Sequence, residues 1–229
     1  MMLTKDGVAL ARFYGDQNRA LRHLLRTVRH EMATPLSGAL LHVEVASRRL
    51  ARGEGAEPAA VVEGLRTIQG ELERTAALLD FFGEIAVGTE EEPRDFSISE
   101  AVSRGAAAYT PEDGVVVALA RPEAEIFGAP RQLEEAIAET TRILLASGKA
   151  VEWKIEALPS EIRLLGSAPG DLAGGAESAF RIGRTPEDFA RALALVRLRF
   201  VVEGHGGALE LSRDGSHVRL AASFPRAGA

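Results

Sequence analysis

Apolar and small residues recur along the first third of the chain at Leu21, Leu25, Val28, Met32, Pro35, Ala39, Val43, Ala46 and Leu50. Steps of three and four draw one seam along a helix, so the spacing predicts a single long helix here. Two glycines within residues 51–58 interrupt the pattern, and Pro58 suits the first turn of a second helix. That helix repeats the rhythm at Val61, Leu65, Ile68, Leu72, Thr75, Leu79 and Phe82. Two helices carrying heptad seams cannot bury both faces alone. A four-helix bundle built by two copies is the economical solution, so a homodimer is expected.

The pattern changes after the acidic, proline-containing run 88–94, which reads as a linker. Beyond it the periodicity predicts a helix over 97–109, short strands over 115–120 and 125–128, and a helix over 132–146. Residues 151–158 and 161–166 alternate across a Pro-Ser turn, while 208–212 and 217–224 flank Arg213-Asp214-Gly215, so both pairs read as hairpins. Between the hairpins lie a glycine-rich stretch, 166–183, and a helix over 186–203. The expected fold class is α+β. A helical hairpin over 1–90, forming the dimeric four-helix bundle, precedes an α/β sandwich over 95–229, with helices on one face of a largely antiparallel sheet.

Composition narrows the function. The 229 residues are 46% apolar and 26% charged, ordinary for a folded chain with room for two small domains. No apolar run approaches the roughly 18–20 residues a membrane helix needs, and no signal-peptide core follows the N-terminus, so no membrane association and a cytoplasmic location are expected. The absence of cysteine and the scatter of five histidines leave little material for a metal centre. The net charge is −6, and no clustered basic patch with interleaved aromatics is evident, so nucleic acid is not an expected partner.

The most informative string is His30-Glu31-Met32-Ala33-Thr34-Pro35-Leu36, in the middle of the first helix. Val28 and Met32 each lie two residues from His30, about 200° around the helix, which turns the imidazole away from the bundle core. An exposed imidazole is mostly neutral at pH 7 and has a ring nitrogen able to attack phosphorus. Glu31 is placed to orient the ring or take its other proton. Thr34 lies four residues on, on the face of His30, where its hydroxyl can position a water or a phosphoryl group. Pro35 removes the hydrogen bond to the Glu31 carbonyl and bends the helix beside the histidine.

This string resembles the phosphoacceptor box of sensor histidine kinases, and the hairpin around it resembles their dimerisation and histidine phosphotransfer domain. The second half resembles their Bergerat-type ATP-binding domain, best at Ala192-Leu193-Ala194-Leu195 and at Val201-Val202-Glu203-Gly204-His205-Gly206-Gly207. The likeness runs from about residue 8 to Pro225 and is weakest at the nucleotide. Ala192 and Ala194 stand where active kinases have glycines. Glu139 and Ile143 stand where they have magnesium-binding asparagines. Gly166-Ser167-Ala168-Pro169-Gly170 lacks the adenine-binding carboxylate, unless Asp171 substitutes from a shifted position. Each lost hydrogen bond to a charged group costs about 1.5–3 kcal/mol, so three losses weaken nucleotide binding by several powers of ten.

What the resemblance implies is a phosphorelay histidine phosphotransferase that receives a phosphoryl group on His30 from one response-regulator receiver and passes it to the aspartate of another. His30, Glu31 and Thr34 carry the chemistry, and Ser37, Gly38, Leu41 and Phe81 form the receiver-binding surface. No cofactor, ATP included, is expected on this chain, and the divalent metal belongs to the receiver. The alternatives are a divergent ATP-dependent kinase core, a receiver phosphatase relying on Thr34, and a non-catalytic receiver-binding dimer.

Overall fold

The computed structural model describes residues 5–51, 58–87, 91–118, 124–147, 150–169, 180 and 185–227. The break after the first helix, the start of the acidic linker and most of the glycine-rich stretch, including Asp171, lie outside the described residues. The chain forms two compact units, one of Leu24–Val87 and one combining residues up to His23 with Gly88–Ala229.

Helix α1 (Lys5–Ala51) and helix α2 (Pro58–Val87) supply the first of these. Leu24, Pro35 and Ala39 are buried along α1, with Val28, Met32 and Ala46 half-buried in the same phase. On α2 the buried line is Thr75, Leu78, Phe81, Phe82 and Ile85. The predicted seams divide at this point. Leu65, Leu72 and Leu79, spaced by seven, are 60%, 51% and 52% exposed, and Leu25, Leu36, Leu40 and Val43 of α1 are exposed as well. One chain buries part of its apolar surface and leaves a second stripe uncovered.

The other unit holds β1 (Arg94–Ser97), α3 (Ile98–Ala106), β2 (Val115–Ala118), β3 (Glu125–Gly128), α4 (Pro130–Ser147), β4 (Val151–Ala157), β5 (Glu161–Pro169), α5 (Pro186–Gly204), β6 (Ala208–Asp214) and β7 (His217–Pro225). Five strands form one sheet in the order β2-β4-β5-β7-β6, with β2 parallel to β4 and the other pairs antiparallel. Both expected hairpins are present, and β1 pairs with β3 in a separate antiparallel ribbon that the periodicity did not announce. Four residues with one inward apolar side chain, Phe96, give too short a pattern to read.

Alternation decides which sheet face is covered. Val151, Trp153 and Ile155, then Ile162, Leu164 and Ala168, then Val218, Leu220, Ala222 and Phe224 point into the core under the helices. Glu152, Lys154, Arg163 and Arg219 point to solvent. Helix entries are set by local chemistry: Ser97 accepts a hydrogen bond from the Glu100 amide, and Thr185 from the Asp188 amide with Pro186 following.

The first turns of α1 belong to this unit. Phe13 is buried with its ring edge-on to Phe127 and to His205, at centroid distances of 6.1 and 5.6 Å. Asp16 is buried and pairs with Arg19, Gln17 donates to the Gln132 side chain at 3.3 Å, and His23 Nδ1 lies 2.9 Å from Glu203 Oε2. Glycine makes this approach possible. A Cβ at Gly204 would sit 2.7 Å from the Gln17 amide nitrogen, and one at Gly206, where φ is +72°, 2.7 Å from Asp16 Oδ2.

Candidate functional site

Helix α1 carries the box without interruption, because leucine, alanine and arginine dominate around it and Pro35 is the one helix breaker inside. Pro35 is buried while His30 and Thr34 are exposed and Glu31 is half-buried, so the bend faces inward and the imidazole outward. Ser37 and Leu41, 60% exposed, continue the same column at one-turn spacing, with Gly38 half-buried at its side. Among the described residues, the side chains of His30, Glu31 and Thr34 make no hydrogen bond. The expected orienting contact from Glu31 is therefore absent, since adjacent helical residues diverge by about 100°. Phe81 departs from the expected surface: it is 9% exposed and edge-on to Phe82, because its phase on α2 coincides with the buried line through Leu78 and Ile85.

The positions compared with the nucleotide site are occupied by contacts within the protein. Glu139 Oε2 accepts from Arg197 Nη1 at 3.1 Å, and Glu135 Oε2 lies 3.7 Å from the same guanidinium, which ties α4 to α5. Ile143 is buried. Ala192 and Ala194 are each 1% exposed, so their methyl groups fill space instead of leaving backbone open to a ligand. Gly166 lies opposite Trp153 across β4 and β5, where a Cβ would stand 2.6 Å from the indole. The indole N–H donates to Thr141 Oγ1 at 3.0 Å, and that hydroxyl donates to the Ile137 carbonyl at 2.7 Å.

His205, read from the sequence only as part of a helix end, is a structural centre. Its Nδ1–H donates to the Val201 carbonyl at 2.7 Å and its Nε2 accepts the Ala129 amide at 3.1 Å, which fixes a neutral tautomer. Phe13, Phe96 and Phe224 surround the ring edge-on, and Gly128 leaves room for it. Burial pushes its pKa below the ordinary imidazole value. The continuation of the α1 stripe through Phe13, Asp16, Gln17, Ala20 and Leu24 was the available signal for this docking. A polar Asp-Gln pair in an apolar phase concealed it.

A further difference concerns charge. No basic cluster was evident along the sequence because Arg12, Arg19, Arg22, Arg26 and Arg29 are three to seven residues apart; on α1 all five are exposed, in two neighbouring columns.

No family model and no curated protein matches this sequence. Solved structures match its fold. Histidine kinase ThkA in complex with the response regulator protein TrrA is 14% identical, with 93% of this chain and 66% of that chain covered and a TM-score of 0.54. Full-length ShkA in complex with AMPPNP is 18% identical over 91% of this chain and 46% of its own, with a TM-score of 0.52. The catalytic domain of ThkA is 13% identical over 59% of this chain and 98% of its own, with a TM-score of 0.50. The shared architecture is an N-terminal helical region followed by the α/β sheet domain of the histidine kinase ATPase-like fold. Among the described residues no helix is long and apolar enough to cross a membrane, and no group of three or more histidine or acidic side chains could hold a metal ion.

Proposed function

We propose that the protein is a dimeric histidine phosphotransferase of a two-component phosphorelay, with His30 as the phosphoryl carrier. The observation that supports this reading is a contrast: the His30 column is open to a partner, while Glu139 is held by Arg197 and Ile143 is buried where an active kinase needs magnesium ligands. A magnesium nucleotide does not fit that donor set. The α/β unit then serves as a scaffold, and the divalent metal comes with the receiver.

The step is an in-line displacement. The neutral ring nitrogen of His30 attacks the phosphorus of an aspartyl phosphate, the nitrogen–phosphorus bond forms as the acyl oxygen–phosphorus bond breaks, and the receiver carboxylate leaves with the electron pair. The reverse step on a second receiver restores the imidazole. Because the chemistry is nearly symmetric, alignment supplies most of the catalysis, and a rigid helix beside Pro35 provides it. Thr34, Ser37, Gly38 and Leu41 form the docking column, with Phe81 acting from beneath as packing. The exposed stripe of Leu25, Leu36, Leu40, Val43, Leu65, Leu72 and Leu79 fits the seam of a homodimer. A complex between the similarly folded ThkA and a response regulator supports the choice of partner.

One observation favours a second reading, a divergent kinase: the similarly folded ShkA was solved with AMPPNP. Incubation with magnesium and γ-labelled ATP beside a His30→Ala control separates the two. The phosphotransferase reading expects no acid-labile label from ATP but His30-dependent label from a phosphorylated receiver. Label from ATP that requires His30 would establish the kinase instead.

A further inference from the structure

Between Arg12 and Glu31 helix α1 carries five arginines and two histidines, and the only acidic residue among them, Asp16, is buried against Arg19. Arg12, Arg19 and Arg26 recur at steps of seven, which brings them within about 40° of His30 around the helix axis. Their Cα atoms precede that of His30 by about 27, 17 and 6 Å at 1.5 Å per residue. Arg22 and Arg29, also seven apart, form the flanking column. All five are exposed, and among the described residues Arg12, Arg22, Arg26 and Arg29 have no ion pair. Arg22 donates to the Asn18 carbonyl and keeps its charge at the surface. In a chain of net charge −6, a basic stripe more than 20 Å long ending at His30 is a pronounced asymmetry.

We propose that this stripe is an electrostatic approach path for the receiver, capturing the acidic surface around its phosphorylated aspartate and guiding it down α1 to His30. The inference rests on the phosphotransferase reading and adds to it a second surface, distinct from the docking column of Thr34, Ser37 and Leu41. Charge complementarity selects the occupant: the group delivered to His30 is a phosphoryl anion on a carboxylate, and the stripe shares the azimuth of the atom that takes it. Long-range attraction of this kind raises encounter rates about 10- to 1000-fold and fades once salt shortens the Debye length to a few ångströms. It acts on encounter and leaves the transfer step inside the complex unchanged.

The test starts from full-length protein phosphorylated on His30 with phosphoramidate, whose nitrogen–phosphorus bond breaks as ammonia leaves. Receiver domains are screened for one that takes the label. The triple variant Arg12→Gln, Arg26→Gln, Arg29→Gln spares Arg19 and its buried partner, and its helicity and mass are checked first. Expected is a roughly tenfold fall in kcat/KM with kcat within about twofold, and a salt dependence between about 50 and 500 mM that is shallower in the variant. Unchanged kcat/KM and salt slope with a receiver that accepts the label would overturn the stripe while leaving the phosphotransferase reading intact. Failure of every receiver to accept label from phosphorylated His30 would remove both. Binding of vesicles of phosphatidylserine and phosphatidylcholine, or of duplex DNA, that the triple variant loses while transfer is unaltered would assign the stripe to a membrane or a nucleic acid and overturn the receiver assignment.

Discussion

His205 shows how much one side chain can set. Both ring nitrogens are committed to backbone groups, and a further proton would have to displace the Ala129 amide inside an apolar shell of Phe13, Phe96 and Phe224. The folded protein holds the ring neutral, whereas in the unfolded chain it titrates near 6.5. Below that pH the unfolded state binds the extra proton. The stability contributed by His205 is therefore complete above about pH 6.5 and is lost as the pH falls, at up to about 1.4 kcal/mol per unit. Urea denaturation at pH 7.5, 6.5 and 5.5 should show this slope in the wild type, and His205→Gln should lack that part of it. Equal slopes would mean the ring accepts a proton in place.

At the scale of elements, α1 is unusual in serving both compact units: its residues up to His23 pack in the sheet unit and the remainder in the hairpin. Phe13 anchors the first part, and its replacement by alanine should cost about 3–5 kcal/mol of that docking. Hydrogen exchange is the appropriate readout. Amides of residues 8–22 should lose protection in Phe13→Ala while those of β5 and β7 keep theirs, and unchanged protection would count against the anchor.

The elements differ in how far the sequence revealed them. The hairpins β4–β5 and β6–β7 were legible because alternation such as Val151-Glu152-Trp153-Lys154-Ile155 persists over several residues and ends at Pro159-Ser160 or Asp214-Gly215. Strand β1 was not, since one buried Phe96 makes no period. The His30 column was legible because helical phase alone turns it outward. Phe81 was misplaced because α2 has two apolar phases, and composition does not say which a single chain buries. The pairing of Glu139 with Arg197 joins residues 58 positions apart on two helices, and no local pattern encodes a meeting of that kind.

For the whole molecule the exposed leucines on the hairpin set the question of assembly. Leu65, Leu72 and Leu79 present a contiguous apolar stripe that a lone chain leaves in water. Placing aspartate at both Leu65 and Leu72 should convert the proposed dimer to a monomer in sedimentation equilibrium at micromolar concentration, while the β-sheet signature in infrared spectra persists. A wild-type chain already monomeric there would refute the dimer.

The setting of Trp153 has one more consequence. It is the protein's only tryptophan, 1% exposed, and hydrogen-bonded to Thr141 at the heart of the sheet unit. The hairpin from Leu24 to Val87 has neither tryptophan nor tyrosine. Indole fluorescence therefore comes from one unit alone, while ellipticity at 222 nm is weighted toward the long helices of the other. The chain carries an optical label on its own α/β half, and the two signals together distinguish loss of the sheet unit from melting of the hairpin without any dye being attached.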